Sequence, residues 1–256
     1  MLFRSPAALH DRIAVVTGAA NGIGRASALR LARDGADVAV IDLEADRLAT
    51  LAEEIATLGR TALPIAIDCT DRTAIEAAFA EIAARFGRID ILFNNVGQSA
   101  RERASEFWNS DPDVWEFVLR VSLRSAMLAS RQVVPQMQER GAGKIINMSS
   151  ESAFYGDTGL VDYSAAKMGV IGFTRALARE LAPFRVNVNA VAPGAIGTRA
   201  HERLPASVID RIKQSTPMGF IGTPDDVAGV VAFLAGPDSR FVTGQSLLID
   251  GGRWMI

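Results

Sequence analysis

Cys69 is the only cysteine in a chain of 256 residues. One thiol excludes an intramolecular disulfide framework and a thiolate-rich metal site. Histidine is nearly as scarce. His10 and His201 are far apart and lack metal-ligand spacing, so no metal is expected. Basic runs are missing too. The 27 Lys and Arg residues against 29 Asp and Glu give a formal net charge of −2, and no stretch marks the basic face that nucleic acid requires. No apolar run approaches the length that crosses a bilayer, so no membrane partner is expected. The opening MLFRSPAALHDR has no sustained apolar segment of the secretory kind. A soluble, cytoplasmic protein is the expectation.

What is present is the balance of an ordinary globular protein, with 49% apolar and 22% charged residues. The length suits one large α/β domain or two small ones. IAVVT (13–17), ADVAVID (36–42), ALPIAID (62–68), IDILFN (89–94), GKIINMS (143–149), RVNVNAVA (185–192) and SLLID (246–250) predict strands. Segments of 3.6-residue periodicity lie between them, such as RASALRLARDG and DRTAIEAAFAEIAARFG. Asp71 is placed to cap the second of these, and Gly87 to end it. The strands are nearly continuous apolar runs, as a parallel sheet buried on both faces by helices requires. With no linker and no internal repeat, residues 1–256 read as a single α/β domain, residues 1–11 forming an N-terminal extension.

TGAANGIG (17–24) follows the first predicted strand and opens the first helix. Gly18, Gly22 and Gly24 permit a tight turn, close approach of backbone to a pyrophosphate, and close helix–strand packing. The helix start offers free N–H groups and a positive dipole end to an anion. The spacing is Gly-x-x-x-Gly-x-Gly, and ordinary turns and helix ends also collect glycine. Its place in the first βα unit favours the phosphate reading. Asp42 ends the second strand about 20 residues on, where an acidic residue accepts hydrogen bonds from adenosine ribose hydroxyls. The alternative is a strand end or a cap. A 2′-phosphate would meet like charge at Asp42, and neither Asn21 nor Leu43 supplies a cation to offset it. NAD is expected over NADP.

VDYSAAKMGV (161–170) sets Tyr163 and Lys167 four residues apart, hence on one helix face. A surface tyrosine beside a snorkelling lysine is one reading. The other is chemical. A tyrosine with a pKa near 10 is a poor base at neutral pH, and a nearby ammonium favours the phenolate.

TGAANGIG, NNVG (94–97), Ser150 in INMSS, YSAAK (163–167) and APGAIGT (192–198) resemble, in order and spacing, the motifs of the short-chain dehydrogenase/reductase family. The tail from Gly222 to Gly252 is similar as well, so the resemblance runs from Arg12 to Gly252. It implies a doubly wound Rossmann-type sheet of seven parallel strands, order 3-2-1-4-5-6-7, and a bound nicotinamide dinucleotide. The implied cofactor set is Gly18, Asn21, Gly22, Ile23, Gly24, Asp42, Asp68, Cys69, Asn95, Val96, Gly97, Tyr163, Lys167, Pro193, Gly194, Ile196 and Thr198. Within it, Asp68 would contact adenine, Asn95 would steady the sheet, and the Pro193–Thr198 turn would hold the carboxamide. The implied catalytic set is Ser150, Tyr163, Lys167 and Ser122, with Tyr163 as acid/base, Lys167 as its tuner and holder of ribose hydroxyls, and Ser150 orienting the substrate oxygen. Ser122 stands where the family usually has an asparagine that helps retain a proton-relaying water. A homotetramer is implied, with 111–140 and 159–182 pairing across one interface and the C-terminal segment across another.

The substrate end is less legible. Residues 97–115, 151–162 and 199–220 are expected to form pocket walls and a lid (199–220). Arg101, Arg103, Arg199 and His201 meet a carboxylate or a carrier's phosphates, or are solvated loop charges. Phe107, Trp108, Phe154 and Tyr155 line an apolar pocket or pack as core and subunit contacts. The resemblance implies an NAD(H)-dependent interconversion of a secondary alcohol and a ketone. A 3-oxoacyl-thioester reductase-like activity and the catabolic oxidation of an alcohol or cyclic diol both lie within that reading. A silent NAD-binding regulator is the competing class, supported by Ser122 alone. A Rossmann-like methyltransferase would leave YSAAK unexplained.

Overall fold

The computed structural model of the chain describes residues 8–198 and 206–255. Arg199, His201 and the first part of the expected lid lie outside the described residues, as do residues 1–7. Seven parallel strands form one sheet in the order β3-β2-β1-β4-β5-β6-β7, as the resemblance implied. They are β1 (Ile13–Thr17), β2 (Asp37–Asp42), β3 (Ala62–Ala66), β4 (Ile91–Asn94), β5 (Gly143–Met148), β6 (Val186–Pro193) and β7 (Ser246–Ile249).

Side chains alternate across each strand. In β1, Ala14 and Val16 join the helices α1 (Gly22–Arg33), α2 (Ala45–Thr57) and α9 (Pro224–Ala235) in one core layer. Val15 faces the other layer, built by α3 (Arg72–Phe86), α5 (Ser125–Arg140) and α7 (Val161–Leu181). Both faces are therefore buried, which explains the unbroken apolar strands. Leu9 is 2% exposed and its N–H donates to the Asp34 carbonyl at 2.8 Å, so Leu9 is anchored in the first layer. Asp71 caps α3 by accepting from the N–H groups of Thr73 and Ala74, and Gly87 ends it in the left-handed conformation.

The edge strand β3 contains Pro64, paired with Val40 of β2. Thr61 and Ile67 turn their backbone groups to β2. By the two-residue alternation, Pro64 faces outward, where its missing N–H breaks no hydrogen bond of the sheet.

A long helix runs from α4 (Pro112–Leu119) through a five-residue π-helical turn, Arg120–Arg124, into α5. Strand order reverses between β1 and β4, and ligands bind beyond the carboxyl ends of strands at such a switch point. There, a buried polar chain ties β4 and β5 to α5 and α7 of the second layer. Asn94 Nδ2 donates to Ser130 Oγ (2.9 Å) and Asn147 Oδ1 (2.8 Å), and Asn147 Nδ2 donates to Thr174 Oγ1 (2.9 Å).

Candidate active site

The glycine turn opens at Thr17, where β1 ends. Gly18 and Gly22 adopt φ of 65° and 51°, conformations costly for any residue with a Cβ. Gly24 is required for another reason. A Cβ there would lie 2.0 Å from the Gly18 carbonyl oxygen and 2.6 Å from Asn95 Nδ2. Asn95 braces the turn, its Nδ2 donating to Gly18 O at 2.9 Å and its backbone N–H to Thr17 Oγ1 at 3.1 Å. The Val96 N–H reaches the same hydroxyl at 3.4 Å. Ile23 packs on the first core layer. Asn21 precedes α1 without a side-chain cap, so that helix start keeps uncapped N–H donors for an anion. Gly22 also faces Thr198, whose Cγ2 would lie 3.2 Å from an added Cβ. The stretch from Pro193 at the end of β6 through Gly194 and Ile196 thus closes on the glycine turn; Gly194 N–H donates to Ile249 O at 3.0 Å. This cradle suits a dinucleotide.

Asp42 Oδ2 accepts from the Ala20 N–H at 2.9 Å, and Oδ1 from those of Leu43 (2.7 Å) and Glu44 (3.3 Å). Its carboxylate is thereby fixed at the end of β2. Asp68 accepts from the Thr70 N–H at 2.7 Å. Beside it Cys69 is buried, and burial, with Asp42 and Asp68 adding to it, pushes the thiol up to about 12. That thiol is inert. One cation escaped the sequence reading. Arg47 reaches this corner from α2, pairing with Glu44 at 2.7 Å and donating to Asn21 Oδ1. Glu44 offsets its charge.

Ser150 follows β5, and the first turns of α7 carry Tyr163 and Lys167. The Ser150 side chain acts on Tyr163 in the sense that favours the phenolate. Ser150 Oγ also accepts from the N–H (3.2 Å) and the hydroxyl (3.1 Å) of Ser152. Lys167 is 1% exposed; its Nζ donates to the Met148 carbonyl at 2.9 Å. Gly97 leaves room for it, since a Cβ there would come within 2.7 Å of Nζ. The sequence argument has the lysine's charge lowering the tyrosine's pKa. In the chain alone, burial governs both groups. It pushes Lys167 down to about 7 and Tyr163 up, while the Ser150 side chain and Arg101 hold Tyr163 back and Asp157 adds to the rise. Ser122 is buried in the π-helical turn, where its hydroxyl accepts from the Gln98 N–H and donates to Gln98 O, both at 3.1 Å. It lies near Gly97 and so near Lys167. The structure thus gathers Ser150, Tyr163, Lys167 and Ser122 at the strand ends beside the glycine turn. Among the described residues, no group of His, Cys, Asp and Glu is placed to hold a metal, and no helix is long and apolar enough to cross a membrane.

A family model described as enoyl-(acyl carrier protein) reductase matches residues 18–253. The chain is 38% identical to the 3-oxoacyl-(acyl-carrier-protein) reductase of Thermotoga maritima, over 95% of this chain and 98% of that protein. It belongs to the short-chain dehydrogenase/reductase family. Cyclohexanol dehydrogenase of a Rhodococcus species is 39% identical, over 95% and 96% of the two chains. The crystal structure of levodione reductase superposes with a TM-score of 0.91 at 30% identity, covering 96% of this chain and 98% of the other. Family membership makes the chain an oxidoreductase.

Arg101 pairs with Asp157 at 3.3 Å and Arg103 with Asp111 at 3.1 Å, so both are engaged within the loops. Phe107 stacks on Trp115 with ring centres 5.0 Å apart, while Trp108 is 80% exposed. Phe154 is half-buried, and Tyr155 lies 6.1 Å from Trp254. Sequence reasoning missed Glu151, Arg253 and the Met148 carbonyl. The first two are 102 positions apart, and no local pattern links them. The third is backbone and carries no residue signal.

Proposed function

We propose that the chain is an NAD(H)-dependent oxidoreductase that interconverts a secondary alcohol and a ketone. The observation that carries this is the grouping of Ser150 and Tyr163 with a buried Lys167, whose Nζ lies 5.6 Å from the centre of the Tyr163 ring. A bound nicotinamide dinucleotide supplies or accepts the hydride. Ser150 donates to the substrate oxygen and holds it beside the Tyr163 hydroxyl. In oxidation Tyr163 takes the hydroxyl proton; in reduction it returns one to the alkoxide. Lys167 favours the phenolate when charged and holds ribose hydroxyls. Ser122 stands close to Lys167 beside Gly97 and would take the asparagine's place in a proton relay to the lysine.

Preference for NAD rests on Asp42, whose carboxylate is pinned by three backbone N–H groups and would oppose a 2′-phosphate. The names of the relatives, a 3-oxoacyl-(acyl-carrier-protein) reductase and a cyclohexanol dehydrogenase, favour a ketone or secondary alcohol carbon. We further propose a cytoplasmic homotetramer with α4–α5 and α7 at one interface. Light scattering that gave a monomer at micromolar concentration would refute the assembly.

The test is kcat/KM with NAD and with NADP across secondary alcohols, cyclic diols and 3-hydroxyacyl thioesters. Turnover with NAD ahead of NADP is expected, and Asp42→Ala should narrow the gap. A clear NADP preference sinks the cofactor assignment. Inertness toward every substrate, relieved by Ser122→Asn, favours the regulator.

A further inference from the structure

Glu151 follows Ser150 directly and is 5% exposed. Its backbone N–H donates to Pro193 O at 2.9 Å, and its Oε1 accepts from Arg253 Nη1 at 2.5 Å. Oε2 is buried with no hydrogen-bond partner, wedged where a Cβ on Gly194 would come within 2.8 Å of it. Arg253 stands in the segment that leaves β7. Asp250 folds that segment, accepting from the N–H groups of Gly252 (3.0 Å) and Trp254 (2.7 Å). The Trp254 ring meets Tyr155 in the short helix α6 (Ser152–Tyr155), one turn past Ser150. On its other side the segment touches the stretch after α8 (Ala206–Ser215): Met218 N–H donates to Gly251 O at 3.1 Å.

A buried ion pair is weak evidence for stability, because desolvation consumes most of the Coulombic gain. What such a pair does provide is a defined geometry. Ser150 can serve Tyr163 only if its turn is held to a fraction of an ångström. Glu151 is gripped twice, through its backbone by β6 and through its side chain by the C-terminal segment.

We propose that Glu151 and Arg253 are positioning residues that lock the Ser150 turn to the end of β7, and through it to the stretch after α8, keeping Ser150 Oγ in hydrogen-bond reach of Tyr163. This rests on the Ser150–Tyr163 reading above. Burial raises Glu151 to about 7 against the pull of Arg253, with Asp250 and Asp157 adding to the rise. Glu151 therefore meets Arg253 as a carboxylate above neutrality and turns neutral below it, leaving the Arg253 charge unmatched.

The chain has two tyrosines, which allows a test without substrate. In a Tyr155→Phe background, which keeps a ring against Trp254, the ultraviolet absorbance of phenolate reports Tyr163 alone. Arg253→Ala should raise the Tyr163 midpoint by about one pH unit, the size of a lost hydrogen bond to a charged oxygen. Ser150→Ala marks the full loss, and Arg253→Lys should stay near the parent. Glu151→Gln keeps the shape, removes the charge and should also raise the midpoint, which covers a failure of Arg253→Ala to fold. In turnover, Arg253→Ala should lower kcat about tenfold while dinucleotide Kd stays within about twofold. The gap in kcat between wild type and Glu151→Gln should close as pH falls below about 7. An unmoved Tyr163 midpoint in both variants overturns the proposal. A moved midpoint supports it even in a chain that oxidises no alcohol, a result that counts against the function alone.

Discussion

Lys167 Nζ lies 5.6 Å from the centre of the Tyr163 ring and spends a hydrogen bond on the Met148 carbonyl. The pair that YSAAK places on one helix face is thus held together, but with burial as the dominant force on each member. A buried amine and a buried phenol both favour their neutral forms. Whatever charges Lys167 then draws Tyr163 toward phenolate, so the two are poised for change.

Tyr163→Phe keeps the ring in its packing and removes only the hydroxyl. Folding and dinucleotide binding should survive, read by thermal melting and fluorescence titration. Turnover should fall by at least roughly 10²–10⁴-fold, the usual contribution of general acid–base catalysis. Near-full activity would remove Tyr163 from the acid/base role. Ser122→Asn should leave turnover similar or somewhat higher.

Lys167 falls from 10.5 to about 7 in the folded chain. Between those values the unfolded chain binds the proton and the folded chain does not. Stability from this group is therefore full above 10.5, is lost as pH falls toward 7, and is flat below. Across that window wild type should gain up to about 1.4 kcal/mol per pH unit relative to Lys167→Met. Urea midpoints from pH 6 to 10 measure it. Parallel curves for the two proteins would mean that the lysine is charged in the fold.

Gly24→Ala forces a methyl group to within 2.0 Å of a backbone carbonyl, which has no flexible end to swing aside. The turn must shift. A stability loss of about 1–3 kcal/mol is expected, with dinucleotide affinity falling by more than any distant substitution of equal Tm cost. Unchanged affinity would separate Gly24 from the cofactor cradle.

The strands, the glycine turn and the Tyr163–Lys167 pair were legible because they rest on local signals: apolar runs, glycine spacing, and i, i+4 spacing. The strand order, Ser150 and Ser122 came only through the resemblance of the motifs to the family. Strand ends moved by no more than about two residues, the usual blur of boundaries. The π-helical turn at Ser122 was not legible, since RVSLR holds no proline or glycine to mark it. Arg47 was missed because its approach to Asn21 depends on how α2 lies over α1. The lock of Glu151 to Arg253 is long-range, and charge pairing across the chain leaves no spacing to read. The protonation states of Lys167 and Tyr163 depend on burial, which a motif does not report.

Pro64 has a consequence for assembly. One border of the sheet ends in a strand whose outward side lacks a donor at its middle. A second chain cannot zip along it in register, so crowding during synthesis or refolding leaves this border closed to strand addition. Pro64→Val would restore that donor. The variant should melt near the wild-type temperature, yet lose more material to precipitate on refolding from urea as concentration rises. Equal recoveries would show that the guard against runaway polymerisation lies elsewhere.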